Sequence, residues 1–228
     1  GVKGFVDGVT ETYTGMLLEP YTDRPDTCGL SVPLWPKEEI EKEIIAANSQ
    51  GIQVRLHCIA DGSVRLALDA FEKSRKVNGK MDFYNTIEHI ENIHPDDIER
   101  FAEIGVLPSM QPFHLTLSRN DKIYRIGAKR CRWEWPERSV QESAGMLALG
   151  TDFPVVDIDP FASLHAAVTR KDEQGVAAGQ QHVADLGRIA DVLDGLVDLI
   201  HGQAGVVLAG EAAAGAVAAV HGALVGDQ

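Results

Sequence analysis

The chain has 228 residues, of which 44% are hydrophobic and 24% are charged, and its formal net charge is −13 at pH 7. This composition predicts a globular protein of one or two domains with a sizeable core. The acidic charge argues against nucleic acid or an anionic membrane as the main partner. Three scattered cysteines without CxxC spacing argue against a disulfide framework, so a reducing cytoplasm is the expected location.

Strand and helix patterns alternate from Gly1 to about Arg170. The predicted strands read VKGFV, IQVRLHC, MDFYNTIEH, VLPSM and MLALGTD. The predicted helices read PKEEIEKEIIAANSQG, DGSVRLALDAFEKSRK, PDDIERFAEIG, PERSVQESAG and DPFASLHAAVTR, with Asp61 and Asp159 as N-caps. Such alternation predicts right-handed βαβ units and a parallel sheet. Five strands do not decide between a barrel and an open doubly wound sheet.

The composition changes at about Asp172. From there onwards the chain has no Lys, Pro or aromatic residue, and Ala, Gly and Val dominate. We therefore predict one α/β domain over residues 1–171 and an Ala/Gly-rich tail, helical or disordered, over residues 172–228. One stretch of the tail, VVLAGEAAAGAVAAVHGALV, is long enough to span a membrane, but Glu211 and His221 argue against an anchor.

Three side chains that can bind metals close predicted strands. These are His57, His89 and Asp152, and Lys3 lies in the first strand. The C-terminal strand ends are where βα proteins build active sites. Two imidazoles and a carboxylate suit Zn²⁺ or a similar divalent ion, which makes hydroxide available at neutral pH. A single His at a strand end is more often a hydrogen-bonded core residue, but three such residues on one edge make a metal site about as probable as a structural role.

A nucleotide-binding α/β protein is a further interpretation of the same alternation. The glycines in GVKGF and IADGS lack the spacing of a phosphate-binding loop. This absence weakens the nucleotide-binding interpretation.

Four segments resemble the amidohydrolase superfamily, and most closely its amidohydrolase 3 branch of N-substituted formamide deformylase-like enzymes. They read VKGFVDGVTETYTGMLLEPY, LHCIADGSVRLALDAFE, TIEHIENIHPDDIERFAEIGVLPSMQPFH and LALGTDFPVVDIDPFASLHAAVTRKDE. They occur in family order and extend from Gly1 to about Glu173. The resemblance implies a (β/α)8 barrel with one or two divalent metals, zinc above all, at its C-terminal mouth. It also implies hydrolysis of amide-type, non-peptide C–N bonds of small molecules through a metal-activated water.

The resemblance also implies roles for individual residues. His57 and His89 match the metal histidines of strands five and six. Asp152 matches the strand-eight aspartate, which is a metal ligand and accepts the proton of the nucleophilic water. Lys3 matches the strand-four lysine, which in many relatives is carboxylated and bridges two metals. His114, which follows strand seven, is expected to contact the substrate.

The departures from the family pattern predict that the chain is a C-terminal half. The HxH metal motif of strand one is absent, so strands four to eight are the ones expected here. The family's closing glycine-lysine-alanine-aspartate pattern is absent after about Gly175, from which we hypothesise a shifted reading frame or a fused tail. An alternative function follows. The chain is then a catalytically inactive remnant, or a subunit that needs a partner chain to complete the site. A homo-oligomer or the missing N-terminal half are the polypeptide partners to expect.

The segment from Gln111 to Trp135 is predicted to be a specificity loop at the barrel mouth. Its basic residues favour either an acidic substrate or, as the stronger interpretation, a solvated basic face. These residues are Arg119, Lys122, Arg125, Lys129, Arg130 and Arg132.

Overall fold

The computed structural model describes residues 1–30, 35–118, 121–171 and 205–208. The strands are β1 Val2–Phe5, β2 Val54–Cys58, β3 Asn85–His89, β4 Val106–Met110, β5 Met146–Leu149 and β6 Gly205–Leu208. The helices are α1 Lys37–Ser49, α2 Asp61–Asn78, α3 Arg100–Ile104, α4 Leu115–Ser118, α5 Asp121–Cys131, α6 Glu137–Ala144 and α7 Pro160–Thr169. Short 3₁₀ turns occupy Thr10–Thr12, Pro95–Asp97 and Pro112–His114.

The strands form one parallel sheet in the order β1-β2-β3-β4-β5-β6, so each strand pairs with its neighbour in sequence. Helical crossovers join parallel strands because the chain must return to the same end of the sheet. The predicted strands and the parallel α/β sheet are confirmed. A sequential parallel order is that of (β/α)8 barrels and differs from the reversed order of doubly wound sheets.

The main core lies between the sheet and helices α1, α2 and α3. On β2, Val54, Leu56 and Cys58 are buried in this core, while the alternate residues Arg55 and His57 are not part of it. Successive side chains of a strand point to opposite faces, so one face of β2 packs on helices and the other carries polar groups. Sequence alternation in IQVRLHC therefore places Arg55 and His57 on the face opposite the core.

The N-terminus of α2 differs from the prediction. Ala60 occupies the N-cap position without a side-chain cap, and Asp61 is the first helical residue. The Asp61 carboxylate instead accepts a hydrogen bond from Leu18 N–H at 3.0 Å. The predicted cap at Asp61 is wrong because a long-range backbone donor takes the carboxylate. The predicted cap at Asp159 is confirmed, since its Oδ1 accepts from Phe161 N–H at 2.9 Å.

The predicted tail is described only at Gly205–Leu208. These four residues form β6, which pairs in parallel with β5, so the prediction of a helical or disordered segment is wrong for them. The rest of residues 172–228 lies outside the described residues. Within the described ranges, none of the helices combines the length and apolar character needed to cross a membrane.

Candidate metal centre

The candidate metal centre lies where β3, β4 and β5 end. His89 is the last residue of β3, His114 ends the turn that follows β4, and Asp152 lies three residues beyond β5. Their ligating atoms all lie within 4.8 Å of one another. Parallel strands in sequential order bring their carboxyl ends to one edge of the sheet, which is how distant parts of the chain meet here.

The backbone of His89 breaks the strand pattern. Strand alternation would send His89 to the same face as Ile87, which is part of the helix-facing core. His89 has φ 78° and Ile90 has φ 53°. These left-handed conformations are costly for residues with a Cβ and persist where the surroundings enforce them. The imidazole meets that of His57 with ring centroids 4.4 Å apart, so the strained turn supplies the site with its central histidine.

His57, predicted as a metal ligand, lies beside the three-residue group. Its Nε2 is 3.2 Å from the carbonyl oxygen of Gly8 and 3.9 Å from Asp7 Oδ1. Burial lowers the pKa of His57, which keeps its ring neutral at pH 7. The structure thus places His57 against His89, and its part in metal binding stays a prediction.

Lys3 lies on the exposed edge of the site. Its Nζ is 5.3 Å from the centroid of the Phe5 ring, and its charge contributes to the lowered pKa of both His57 and His89. The amine therefore stands close enough to act on both imidazoles. Its carboxylation stays a prediction.

His114 was predicted to contact the substrate. The structure places it in the candidate metal centre, beside His89 and Asp152. Its ring stacks on that of His89 at a centroid distance of 5.9 Å, and its Nε2 lies 3.2 Å from the Thr151 carbonyl oxygen. The signal in the sequence is QPFH, a histidine four residues past the end of a predicted strand, where a turn can bring the side chain back over the sheet edge.

The chemistry of the donor set fits a divalent ion. Burial and the neighbouring His57 and His114 lower the pKa of His89 to about 2. A neutral imidazole with a free lone pair is the form that binds metals. The imidazoles of His89 and His114 and the carboxylate of Asp152, the most exposed of the three, make a mixed nitrogen and oxygen donor set that suits zinc.

Asp7 is a residue of the site that sequence reasoning missed. It is fully buried and accepts hydrogen bonds from the backbone N–H groups of Met16, Ile59 and Ala60 at 2.9 to 3.1 Å. Burial raises the pKa of Asp7 to about 7. Its carboxyl ties the loop after β1 to the loop that follows His57. The signal was an acid directly after the strand pattern VKGFV.

A buried ion pair between Glu91 and Lys122 also lies next to the centre. Lys122 Nζ donates to Glu91 Oε2 and lies 3.9 Å from the centroid of the Trp135 ring. Glu91 Oε1 is 3.9 Å from His114 Nδ1. Lys122 is 1% exposed, so the predicted solvated basic face is wrong for this residue. The segment folds into α4 and α5, which turn Lys122 inward, whereas Arg119 lies outside the described residues.

Comparison with known proteins identifies the family. The sequence profile described as the Amidohydrolase family matches residues 1–196. The chain belongs to the amidohydrolase family. The resemblance inferred from its four segments is thereby confirmed. The profile extends beyond the predicted boundary at residue 172, and that boundary stays a prediction.

Three relatives of this amidohydrolase chain share its fold or sequence over about three quarters of its length. Protein LONG AFTER FAR-RED 3 of Arabidopsis thaliana is 33% identical over 75% of the chain. A crystal structure of an uncharacterized metal-dependent hydrolase from Pyrococcus furiosus is 36% identical over 74% of the chain, with a TM-score of 0.65. A second metal-dependent hydrolase, from Pyrococcus horikoshii OT3, is 31% identical over 77%, with a TM-score of 0.68. The chain spans 29% of the plant protein and 34% of each solved chain.

Proposed function

We propose that this chain is the C-terminal part of a metal-dependent hydrolase that cleaves amide-type, non-peptide C–N bonds of small molecules. Strands β1 to β5 then correspond to strands four to eight of a (β/α)8 barrel. The observation that carries the proposal is the convergence of His89, His114 and Asp152 within 4.8 Å at the strand ends of an amidohydrolase. The sequential strand order and the metal-dependent hydrolases of similar structure support it.

His89, His114 and Asp152 would hold the ion, with His57 and Lys3 beside them. A divalent metal, zinc by its donor preference, lowers the pKa of water and polarises a carbonyl when bound there. The chain's own side chains set the charge of the site and transfer the proton. Buried His89 and His57 keep the site free of positive imidazolium charge. Asp152 reaches the open side of the site, where its carboxylate accepts a proton from water and passes it to the leaving nitrogen.

Zinc binding by the purified chain tests the proposal. We expect one Zn²⁺ to bind in a competition assay with a chromophoric chelator. His89→Ala should weaken binding by 100-fold or more, on the order of the loss of a ligand in a small donor set. The matched control is His165→Ala, because His165 is exposed on α7 and should leave the affinity unchanged. Equal affinity in wild type and His89→Ala would contradict the proposed centre.

A second candidate function is that of a subunit whose site is completed by a partner chain. The exposed side chains of the edge strand β1 favour it. Val2 and Phe5 on β1 are 49% and 50% exposed, which is high for strand side chains of this size. Such an edge is suited to pairing with another strand. If zinc binds only after a polypeptide carrying the first three strands of a relative is added, the partner-dependent function is supported and the self-sufficient site is excluded.

A further inference from the structure

The turn that follows β1 lies against the imidazole of His57. Phe5 and His57 are partners in the register of β1 and β2, so the chain leaves β1 directly beside this ring. Val6, which follows, is buried in the main core, and Asp7 and Gly8 come next. The Gly8 carbonyl oxygen lies 3.2 Å from His57 Nε2, which is hydrogen-bond distance. His57 Nδ1 has no hydrogen bond to any of the described residues.

The acceptor determines which nitrogen of His57 carries the proton. A carbonyl oxygen has no hydrogen to donate, so this contact is a hydrogen bond only when Nε2 is the donor. Asp7 Oδ1, at 3.9 Å from Nε2, is too distant to accept the proton instead. A neutral imidazole has one N–H and one lone pair, so the lone pair then belongs to Nδ1. The contact with Gly8 therefore selects one tautomer of the ring.

Asp7 fixes the turn from its buried side. The residue is fully buried, and its Oδ1 accepts from Ile59 N–H at 2.9 Å. Its Oδ2 accepts from Ala60 N–H at 3.1 Å and from Met16 N–H at 2.9 Å. Hydrogen bonds in such a low-dielectric environment are strong and well oriented. The carboxyl thus joins the turn to the loop that directly follows the histidine, which limits movement of the adjoining carbonyl relative to the ring.

Thr14 fixes the turn from its other side. Gly8 N–H donates to the Thr14 carbonyl oxygen at 3.0 Å, and Val9 N–H donates to Thr14 Oγ1 at 2.9 Å. A Cβ on residue 8 would lie 2.1 Å from Thr14 Oγ1, which is closer than such atoms approach, so glycine allows this close packing. The peptide that offers its carbonyl oxygen to His57 is therefore held on both sides.

We propose that the Asp7–Gly8 turn positions His57 by holding its proton on Nε2, which leaves Nδ1 as the nitrogen with the lone pair. The hydrogen bonds of the turn stand on their own, whereas their consequence for metal binding rests on the proposed function. Histidines that bind a metal through one nitrogen donate the other N–H to a backbone carbonyl or a carboxylate, which fixes tautomer and ring orientation. If His57 joins the ligand set, it can do so only through Nδ1.

The tautomer of His57 in the metal-free chain tests the proposal. We would record long-range ¹H–¹⁵N correlations of ¹⁵N-histidine-labelled protein at about pH 7.5, where a histidine of ordinary pKa is neutral. The His57 signals are assigned by their loss in His57→Gln. The wild type should show the Nε2–H form. A wild type in the Nδ1–H form, or in an equal mixture of the two, overturns the proposal without any variant.

Two variants loosen the turn and leave the imidazole in place. Asp7→Asn puts a donor beside backbone N–H groups, and should raise the ratio of Nδ1–H to Nε2–H about fivefold, the factor that an ordinary hydrogen bond supplies. Thr14→Val removes the acceptor of Val9 N–H and should raise the same ratio less; it decides the matter if Asp7→Asn does not fold. Asp82→Asn, at an exposed acid between α2 and β3, is the matched control and should keep the wild-type ratio. An unchanged ratio in every folded variant overturns the role of the turn.

Zinc titration separates this proposal from the proposed function. Asp7→Asn should bind Zn²⁺ about 10- to 100-fold more weakly than the wild type, as the loss of an outer hydrogen-bond partner does. A wild type with the Nε2–H form that takes up no Zn²⁺ supports the positioning role and overturns the metal function. A wild type that takes up Zn²⁺ but whose metal-free His57 holds the Nδ1–H form does the reverse.

Discussion

The two faces of this sheet differ in the polarity of the side chains that they carry. The face toward α1, α2 and α3 is apolar, and side chains such as Leu56, Leu68 and Ile87 are completely buried there. The opposite face and the C-terminal strand ends hold imidazoles, carboxylates, a buried ammonium and left-handed backbone at His89 and Asp152. The apolar face stabilises the fold by burial, whereas the polar edge holds buried polar atoms without hydrogen-bond partners among the described residues, together with strained backbone.

The largest expected effect comes from the apolar face. Phe71→Ala in α2 removes a ring that is 1% exposed and should cost about 3–5 kcal/mol in the free energy of unfolding. Denaturation by urea measures this loss. Zinc affinity of the folded fraction should stay unchanged, because the ring lies on the helix side of the sheet. Val77→Ala, at a residue that is 61% exposed in the same helix, is the control and should cost little.

The next effect comes from the polar edge. Lys122→Met keeps the volume of the side chain but leaves Glu91 buried without its cation, which should cost about 3 kcal/mol. Urea denaturation of the variant checks the value. The double variant Glu91→Gln, Lys122→Met should recover part of the loss, because no unpaired charge is then buried. Lys129→Met, at an exposed lysine of α5, is the control. A loss of unfolding free energy in Lys122→Met no larger than that in Lys129→Met would contradict a stabilising buried pair.

A smaller effect concerns pH. The pKa of Asp7 is raised to about 7 in the folded state from an ordinary value of 3.8, so the folded chain binds more protons than the unfolded chain between these values. Stability should therefore fall as pH rises from about 4 to 7, by at most about 1.4 kcal/mol per unit for this group. Glu134, whose burial raises its pKa to about 7, acts in the same direction. Urea midpoints at pH 5 and pH 7 measure the slope.

Asp7→Asn separates the contribution of Asp7 from that of Glu134. The amide cannot titrate, so the fall in stability between pH 5 and pH 7 should become shallower. Overall stability should also drop by about 1–3 kcal/mol, because one of the two acceptor oxygens is replaced by a donor beside backbone N–H groups. A slope equal to that of the wild type would show that Asp7 does not keep its proton in the folded chain.

Local patterns were sufficient to predict β1 to β5, because apolar alternation and helix-start signals are short-range properties of the sequence. They also placed His57, His89 and Asp152 at strand ends. The inclusion of His114 depends on the turn at Pro112–His114, and the burial of Lys122 depends on the packing of α5 over Trp135. The lost cap at Asp61 depends on Leu18, 43 residues away. The contacts of Lys122 and Asp61 join distant segments, so no local pattern contains them.

The order of the strands has a consequence for how the chain is made. From β2 to β5, every strand pairs with the strand that precedes it in the sequence. During synthesis, each new strand and helix can therefore dock on the part of the sheet that has already emerged from the ribosome, without waiting for a later segment. Pairing between sequence neighbours also keeps loop closure short, which favours rapid folding compared with sheets whose central strand arrives last.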